Sequence, residues 1–414
     1  MKHKIDSKYL CDVFVKYAKV ESNSAEGATK TPSTEGQFTL GRIIVEDFKK
    51  LGVTDVVQDE HAYVVARVKG NTKAPAISFI AHLDTYPETN GKNVQPIVHS
   101  NYDGNDIKLP KESASIKISE QPELKDKKGK TIITASGDTL LGGDDKCGIA
   151  ICMETCKFLM ENSSFKHGDV VFIFTPDEEI GHGADLLDIK KLNVACGYTL
   201  DGEGVGSITN ETFCADQLTV TITGREFHPG HSKDKMVSAI RLVAKFLEKL
   251  PMDARPETTE KRQGFLHPTK IEGGVTTSKI TFLVRDFTVD GLKKFENIAK
   301  KIADDLLKEF PVADIKFEIK EQYRNMVYEL EKDPRVVAYA AKASEECGIK
   351  PEFSQARGGT DGSRLSYRGL LAPDMPCGMY AYHSKNEWAC LEDMAQDADI
   401  VKQIISIWAK EPLK

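Results

Sequence analysis

Val171-Phe172-Ile173-Phe174 is an unbroken run of β-branched and aromatic residues, and Thr175-Pro176 ends it. Such a run reads as a buried strand, and the proline marks where the strand gives way to a loop. That loop delivers three consecutive carboxylates, Asp177, Glu178 and Glu179. Adjacent like charges repel, so a strand end in an α/β core holds them only if something positive neutralises them. A divalent metal does this best, because the ion is the largest local charge in its site. Two neighbouring glutamates can then divide the work, one binding metal and the other moving a proton. Taken alone, the stretch fits a solvated acidic loop equally well.

The chain has 414 residues, more than one ordinary core accommodates, so two domains are expected. Its formal net charge of -7 argues against a nucleic-acid binder, whose basic patch would show in the balance. No apolar run approaches the roughly 18 residues of a membrane helix, so no membrane partner is expected. Met1 to Asp6 is charged and lacks an apolar core behind it, so no secretory signal is read. The 9 cysteines are odd in number and not closely paired, which suggests reduced thiols in a cytoplasmic protein.

In chain order, helices are expected over residues 7–20 and from Gln37 to Leu51. Strands are expected from Tyr63 to Val68 and from Ala76 to Ala81, the second running into His82-Leu83-Asp84. Residues 88–130 are polar and lysine-rich and read as a long loop with short strands. Gly142-Gly143-Asp144-Asp145 marks a tight turn before a helix from Ile149 to Met160. Tyr198-Thr199-Leu200 is a short strand ending at Asp201. From about residue 213 the order becomes β-α-β-β-α-β, the ferredoxin-like split βαβ pattern. After Asn325 the α/β alternation returns, with helices near Pro334 to Cys347 and Leu391 to Lys410.

His82, Asp84, Asp144, Glu178, Glu179, Asp201 and His383 all follow expected strands, where open α/β sheets bind ligands. Imidazole with carboxylate suits zinc, and also cobalt or manganese. Singly, each residue has a plainer explanation: a lone histidine is usually just hydrogen-bonded, and Asp144 fits a helix cap. Several such residues at successive strand ends are harder to explain that way.

His82-Leu83-Asp84, Gly142-Gly143-Asp144-Asp145-Lys146, Thr175-Pro176-Asp177-Glu178-Glu179 and His383 resemble the M20 family of di-zinc peptidases. Pro32-Ser33-Thr34-Glu35-Gly36-Gln37, His228-Pro229-Gly230, Arg285-Asp286-Phe287, Tyr323-Arg324-Asn325-Met326 and Arg357-Gly358-Gly359-Thr360-Asp361-Gly362 resemble its tripeptide-aminopeptidase branch more closely. The resemblance implies a two-domain α/β fold. Its zinc-peptidase-like catalytic domain would span residues 1–212 and 326–414. The ferredoxin-like domain at 213–325 would be an inserted lid, of a type that also serves dimerisation.

The resemblance further implies two zinc ions per chain and a tripeptide substrate, and it allows a homodimer. Asp144 would bridge the metals, His82 and Asp201 would complete one site, and Glu179 and His383 the other. Asp84 would orient His82, and Glu178 would be the general base. His228 would help stabilise the oxyanion, His231 being the bystander. The Asp144–Asp145 peptide would be cis. Asp177 and Glu203 are candidates for the substrate ammonium. Arg285 and Arg357 are candidates for its C-terminal carboxylate, although a structural ion pair explains either arginine too. Asn325 is a candidate for the substrate backbone. Gly143 and Glu203 depart from the family pattern, which has alanine and glycine there. Other M20 hydrolases (dipeptidases, carboxypeptidases, deacylases) share the same metal chemistry.

Overall fold

Val171 and Ile173 point to one side of their strand and Phe172 and Phe174 to the other, as the two-residue period requires; all four are fully buried. In the computed structural model, which describes residues 3–112 and 114–412, the two sides feed two different cores. Phe172 and Phe174 pack with Phe79, Phe48 and Tyr198 against helices that include Ser7–Ala18, Gly143–Glu161 and Leu391–Trp408. Val171 and Ile173 pack with Tyr63, Ile80, Leu187 and Leu365. A strand covered on both faces is what an unbroken apolar run encodes.

The chain divides into two compact units. One comprises Met1–Asn210, Glu329–Ser354 and Thr360–Lys414; the other comprises Glu211–Tyr328 and Gln355–Gly359. The main sheet of the first unit runs Asp55–Gln58, Val64–Val68, Val170–Thr175, Ile77–His82, Cys196–Glu203, Asp374–Tyr380, Trp388–Cys390, Ile132–Thr134, Ile97–His99. Its central strands Val170–Thr175, Ile77–His82, Cys196–Glu203 and Asp374–Tyr380 are mutually parallel. Their carboxyl ends therefore line one edge of the sheet, where such sheets place ligands.

The helix expected from Ile149 begins earlier, at Gly143. Its first turn carries Asp144, Asp145 and Lys146, all buried, so apolar periodicity is silent there. Residues 88–130 contain the short strands Ile97–His99, Ile107–Lys108 and Ser115–Ile116 and the turn Pro122–Lys127. Tyr102, Leu109, Leu124 and Trp388 give this arm a small core of its own.

The second unit runs Cys214–Thr223, Ala239–Glu248, Phe265–Gly273, Thr277–Asp286, Val289–Glu309, Asp314–Tyr323. Its antiparallel sheet has the order Phe265–Gly273, Thr277–Asp286, Cys214–Thr223, Asp314–Tyr323, which is the split βαβ topology. Leu242, Phe246, Leu292 and Leu306 of the two helices pack on Val220 and Phe282 of the sheet. Gln355–Gly359 groups with this unit, although its sequence reads as part of a glycine-rich loop of the first domain. Among the described residues, no helix is long and apolar enough to cross a membrane.

Candidate metal centre

Each of the four central parallel strands ends in acid or imidazole. Ile77–His82 finishes on His82 itself, with Asp84 two residues on. Val170–Thr175 leads into Glu178 and Glu179. Cys196–Glu203 carries Asp201 near its end, and Asp374–Tyr380 leads to His383. Asp144 comes from the start of the helix Gly143–Glu161.

The side chains converge on Asp144. His82 Nε2 lies 2.7 Å from Asp144 Oδ1 and 3.6 Å from Asp201 Oδ1. His383 Nε2 lies 3.1 Å from Asp144 Oδ2 and 2.8 Å from Glu179 Oε2. Asp144 thus stands between two imidazoles, one oxygen to each. Ligand atoms of His82, Asp144 and Glu179 fall within 4.8 Å of one another, as do those of His82, Asp145 and Asp201. Glu178 makes no ion pair with either imidazole among the described residues. The Asp144–Asp145 peptide is cis, as the resemblance implies.

Buried carboxylates hold the backbone of these residues. Asp84 accepts from the N–H groups of Glu178 at 3.0 Å and Glu179 at 3.1 Å, and its side chain lies 3.3 Å from His82 Nδ1. Asp145 accepts from His82 N–H at 3.0 Å and Gly148 N–H at 3.2 Å. Glu387 accepts from the N–H groups of Leu141, Gly142 and Asp144. The His383 ring stacks on Tyr86 at 4.1 Å between centroids, and its carbonyl accepts from Thr89 Oγ1 at 3.0 Å. Asp177 and His383 sit at φ 57° and 62°, a left-handed backbone that non-glycine residues keep only where the surroundings impose it.

The electrostatics show an excess of negative charge. Burial opposes the ionisation of Asp144, but hydrogen bonds from His383 and His82 outweigh it and hold its carboxyl well below the usual range. Burial and the Asp144 charge push Glu179 up to about 8 and Asp201 up to about 7. Burial and the Asp201 charge also push Glu178 well up. Burial disfavours a charged His383, yet its bonds to Asp144 and Glu179 raise it to about 10. Glu179 Oε1 is buried with no hydrogen-bond partner. Crowded carboxylates, two imidazoles and an orphaned inward oxygen fit a divalent cation better than they fit one another. With no thiolate in the set, the donors suit zinc in a catalytic centre.

Several expected site residues do other work. Asp177 is 1% exposed, and its carboxylate is taken by Ser33 N–H, Ser33 Oγ and Gln37 Nε2. It clamps the loop before the helix Glu35–Lys50 and has no face for a substrate ammonium. Glu203 remains exposed at the end of its strand, its carboxylate bonded by the N–H of Ala381. Asn325 is 1% exposed. Its oxygen accepts from Thr212 and Val327 N–H, and its nitrogen donates to the Phe287 carbonyl and Glu211. These bonds hold chain within its own unit.

Arg357 donates to the carbonyls of Lys261 and Gln263 and to Thr259 Oγ1, beside the rings of Phe213 and Phe265. Arg285 bonds the carbonyls of Asp216 and Val284 through Nη1 and lies over Tyr323. His228 is exposed and its Nδ1 accepts from Gly230 N–H at 3.2 Å, which puts the ring proton on Nε2. His231 lies beside it, 5.4 Å between ring centroids. Glu387, Asp145 and Tyr86 escaped the sequence reading. Their partners are backbone groups or rings, most of them far away in the chain, and such contacts leave no local pattern.

Residues 140–407 match the model of peptidase family M20/M25/M40. Peptidase T of Clostridium perfringens is 40% identical over 400 residues, covering 96% of this chain and 98% of that protein. Among solved structures, aminopeptidase PepT from Bacillus cereus aligns with TM-score 0.77 and 24% identity over 98% of this chain and 100% of the other. A tripeptidase from Staphylococcus aureus aligns with TM-score 0.78 and 22% identity over 99% and 100%. The Bacillus subtilis YXEP protein, a dinuclear metal-binding peptidase of family M20, aligns with TM-score 0.67 and 15% identity over 98% of each chain. At these identities the solved structures speak to the fold.

Proposed function

This chain belongs to peptidase family M20/M25/M40, and on that premise we propose that it is an aminopeptidase that removes the N-terminal residue of tripeptides with two zinc ions. The observation that carries the reading is Asp144, set between His82 and His383 with one oxygen toward each. Its carboxylate would bridge the two ions, His82 and Asp201 would hold one, and Glu179 and His383 the other. Bound zinc supplies a Lewis acid that polarises the scissile carbonyl and brings the pKa of water toward neutrality.

The chain's own groups do the rest. Glu178 takes the proton of the attacking water and returns it to the leaving amine. Asp84 fixes both the His82 ring and the Glu178–Glu179 backbone, a partner that orients a ligand and raises its basicity. Glu203 receives the substrate ammonium, now that Asp177 is committed to Ser33 and Gln37. Of the two arginines, Arg285 is the better match for the C-terminal carboxylate, because its carbonyl bonds use a single guanidinium nitrogen and its other partner is the Tyr323 side chain. His228, through its Nε2 proton, donates to the developing oxyanion. Its unit would act as a lid and as the dimerisation surface of a homodimer. The 9 cysteines, free among the described residues, suit a reducing compartment such as the cytoplasm.

The test is a side-by-side assay of a tripeptide, a dipeptide and an N-acetyl amino acid, with products identified, before and after chelation and zinc return. The expected result is release of the N-terminal residue from the tripeptide, lost on chelation and restored by zinc. Preferred cleavage of the N-acetyl amino acid or the dipeptide would overturn the substrate assignment. Full activity after exhaustive chelation would overturn the metal.

A further inference from the structure

The helix Gly143–Glu161 begins without a cap of its own. Its N-cap, Gly142, has no side chain and sits at φ 78°, ψ 32°, and Asp144 and Asp145 depart from helical geometry within the first turn. Backbone N–H groups at a helix start still need acceptors. One distant side chain serves the Asp144 N–H and the two N–H groups that lead into the turn. Glu387 is 1% exposed; its Oε2 accepts from Leu141 and Gly142 N–H at 2.7 Å each, and its Oε1 from Asp144 N–H at 3.0 Å.

Two further observations show a closed cradle. A Cβ on Gly143 would meet Glu387 Oε1 at 3.1 Å, so backbone and carboxylate are already in close approach. The Glu387 charge acts on the buried Lys146 ammonium, whose Nζ is anchored to the Val20 carbonyl at 2.8 Å. Glu387 also follows closely on His383, with Ser384, Lys385 and Asn386 between. It is therefore tied by a short turn to one imidazole of the centre, and by a hydrogen bond to the residue between both imidazoles.

We propose that Glu387 is a positioning residue of the metal centre, locking the Asp144 backbone and the His383 turn into one frame so that their side chains meet a metal without rearrangement. It touches no substrate and supplies no ligand. The inference rests on the two-zinc reading. It predicts an effect on metal affinity, which a general stabilising role would not give.

The experiment measures zinc affinity of the full chain by competition with a chromophoric chelator, together with the melting temperature of the metal-free protein. Glu387→Gln keeps the size but turns one oxygen into an amide that opposes an N–H donor. Glu387→Asp keeps the charge but falls a methylene short. Asp393→Asn is the control, a buried carboxylate that pairs with Lys127 and Lys130 and accepts from Tyr380 Oη, not from the backbone of the Asp144 turn. Glu387→Gln is expected to weaken zinc binding on the order of 10–100-fold, the usual cost of losing a partner that orients a ligand. Glu387→Asp should lose less, and Asp393→Asn should keep parental affinity even where it lowers the melting temperature. Zinc binding within about twofold of the parent in both Glu387 variants would overturn the inference, because orienting partners normally matter far more than that. So would an equal loss in Asp393→Asn. If Glu387→Gln does not fold, Glu387→Asp decides by the same comparison. A parent chain with no tight zinc would instead overturn the two-zinc reading, which is a separate result.

Discussion

Glu178 and Glu179 are neighbours in the chain, and their surroundings differ. Glu179 lies against His383 with its other oxygen orphaned, as the proposed ligand role requires. Glu178 pairs with neither imidazole, while its N–H is fixed by Asp84. Glu178→Gln is therefore expected to keep both metals and the fold and to lose turnover by on the order of 10²–10⁴, the worth of a general acid–base group. Elemental analysis beside kcat checks this, and a variant that loses zinc would exchange the two roles. At this scale the cluster of acid and imidazole was legible, since such residues after apolar runs are conspicuous. The side chains that serve backbone were not. Asp177 reads like its two neighbours, but its carboxylate is bound to Ser33 and Gln37, 144 and 140 residues away. The main-chain bonds of Asn325 and Arg357 were hidden for the same reason: a polar side chain bonded to main chain looks no different in sequence from one reserved for a ligand.

Two elements of the second unit carry predictions of their own. On the helix Val289–Glu309, the Glu296 carboxyl is pushed up from 4.5 to about 7 by burial and by its hydrogen bond to Asp216, against the weaker pull of Arg324 and Lys293. Between those two values the folded unit binds more protons than the unfolded chain, so its stability falls as pH rises through the window and levels off above it. Glu296→Gln should flatten that fall, leaving the variant more stable than the parent at pH 8 but not at pH 4, as thermal melts would show; parallel pH profiles would refute it. The strand Asp314–Tyr323 is a long, largely exposed sheet edge, which invites pairing. If a second copy pairs with it antiparallel about Phe317, Lys316 faces Glu318, Ile315 faces Ile319 and Asp314 faces Lys320, each favourable across strands. Light scattering should then find a dimer that Lys316→Glu dissociates and Lys316→Glu with Glu318→Lys restores. A parent that is monomeric at tens of micromolar would end this assignment. The strand itself was open to reading because strand alternation is a local property. The start of the helix Gly143–Glu161 was hidden, because its first turn carries charged residues that bond to imidazoles and main chain and no apolar stripe.

For the whole molecule, the change in grammar near residue 213 and the return after Asn325 are visible in the sequence, because hydrophobic period and element order both shift there. The second excursion, Gln355–Gly359, is not, since it is too short to have a period. His228 belongs to the Glu211–Tyr328 unit, whereas His82, Asp144 and His383 belong to the other, so a role for His228 in the reaction would make catalysis a property of both units. Its ring is suited to that role: Pro229 and Gly230 form the turn that presents it, and the Gly230 N–H on Nδ1 leaves Nε2 as the donor. His228→Ala is expected to lower kcat on a good tripeptide by on the order of 10²–10³, the loss typical of one oxyanion donor. KM should change little, because the bond would form mainly in the transition state, and zinc content should stay at the parental level. His228→Gln, whose amide can still donate, should recover part of the rate, which a merely structural turn histidine would not require. Parental kcat in His228→Ala would remove the residue from the mechanism and leave the chemistry to the first unit alone.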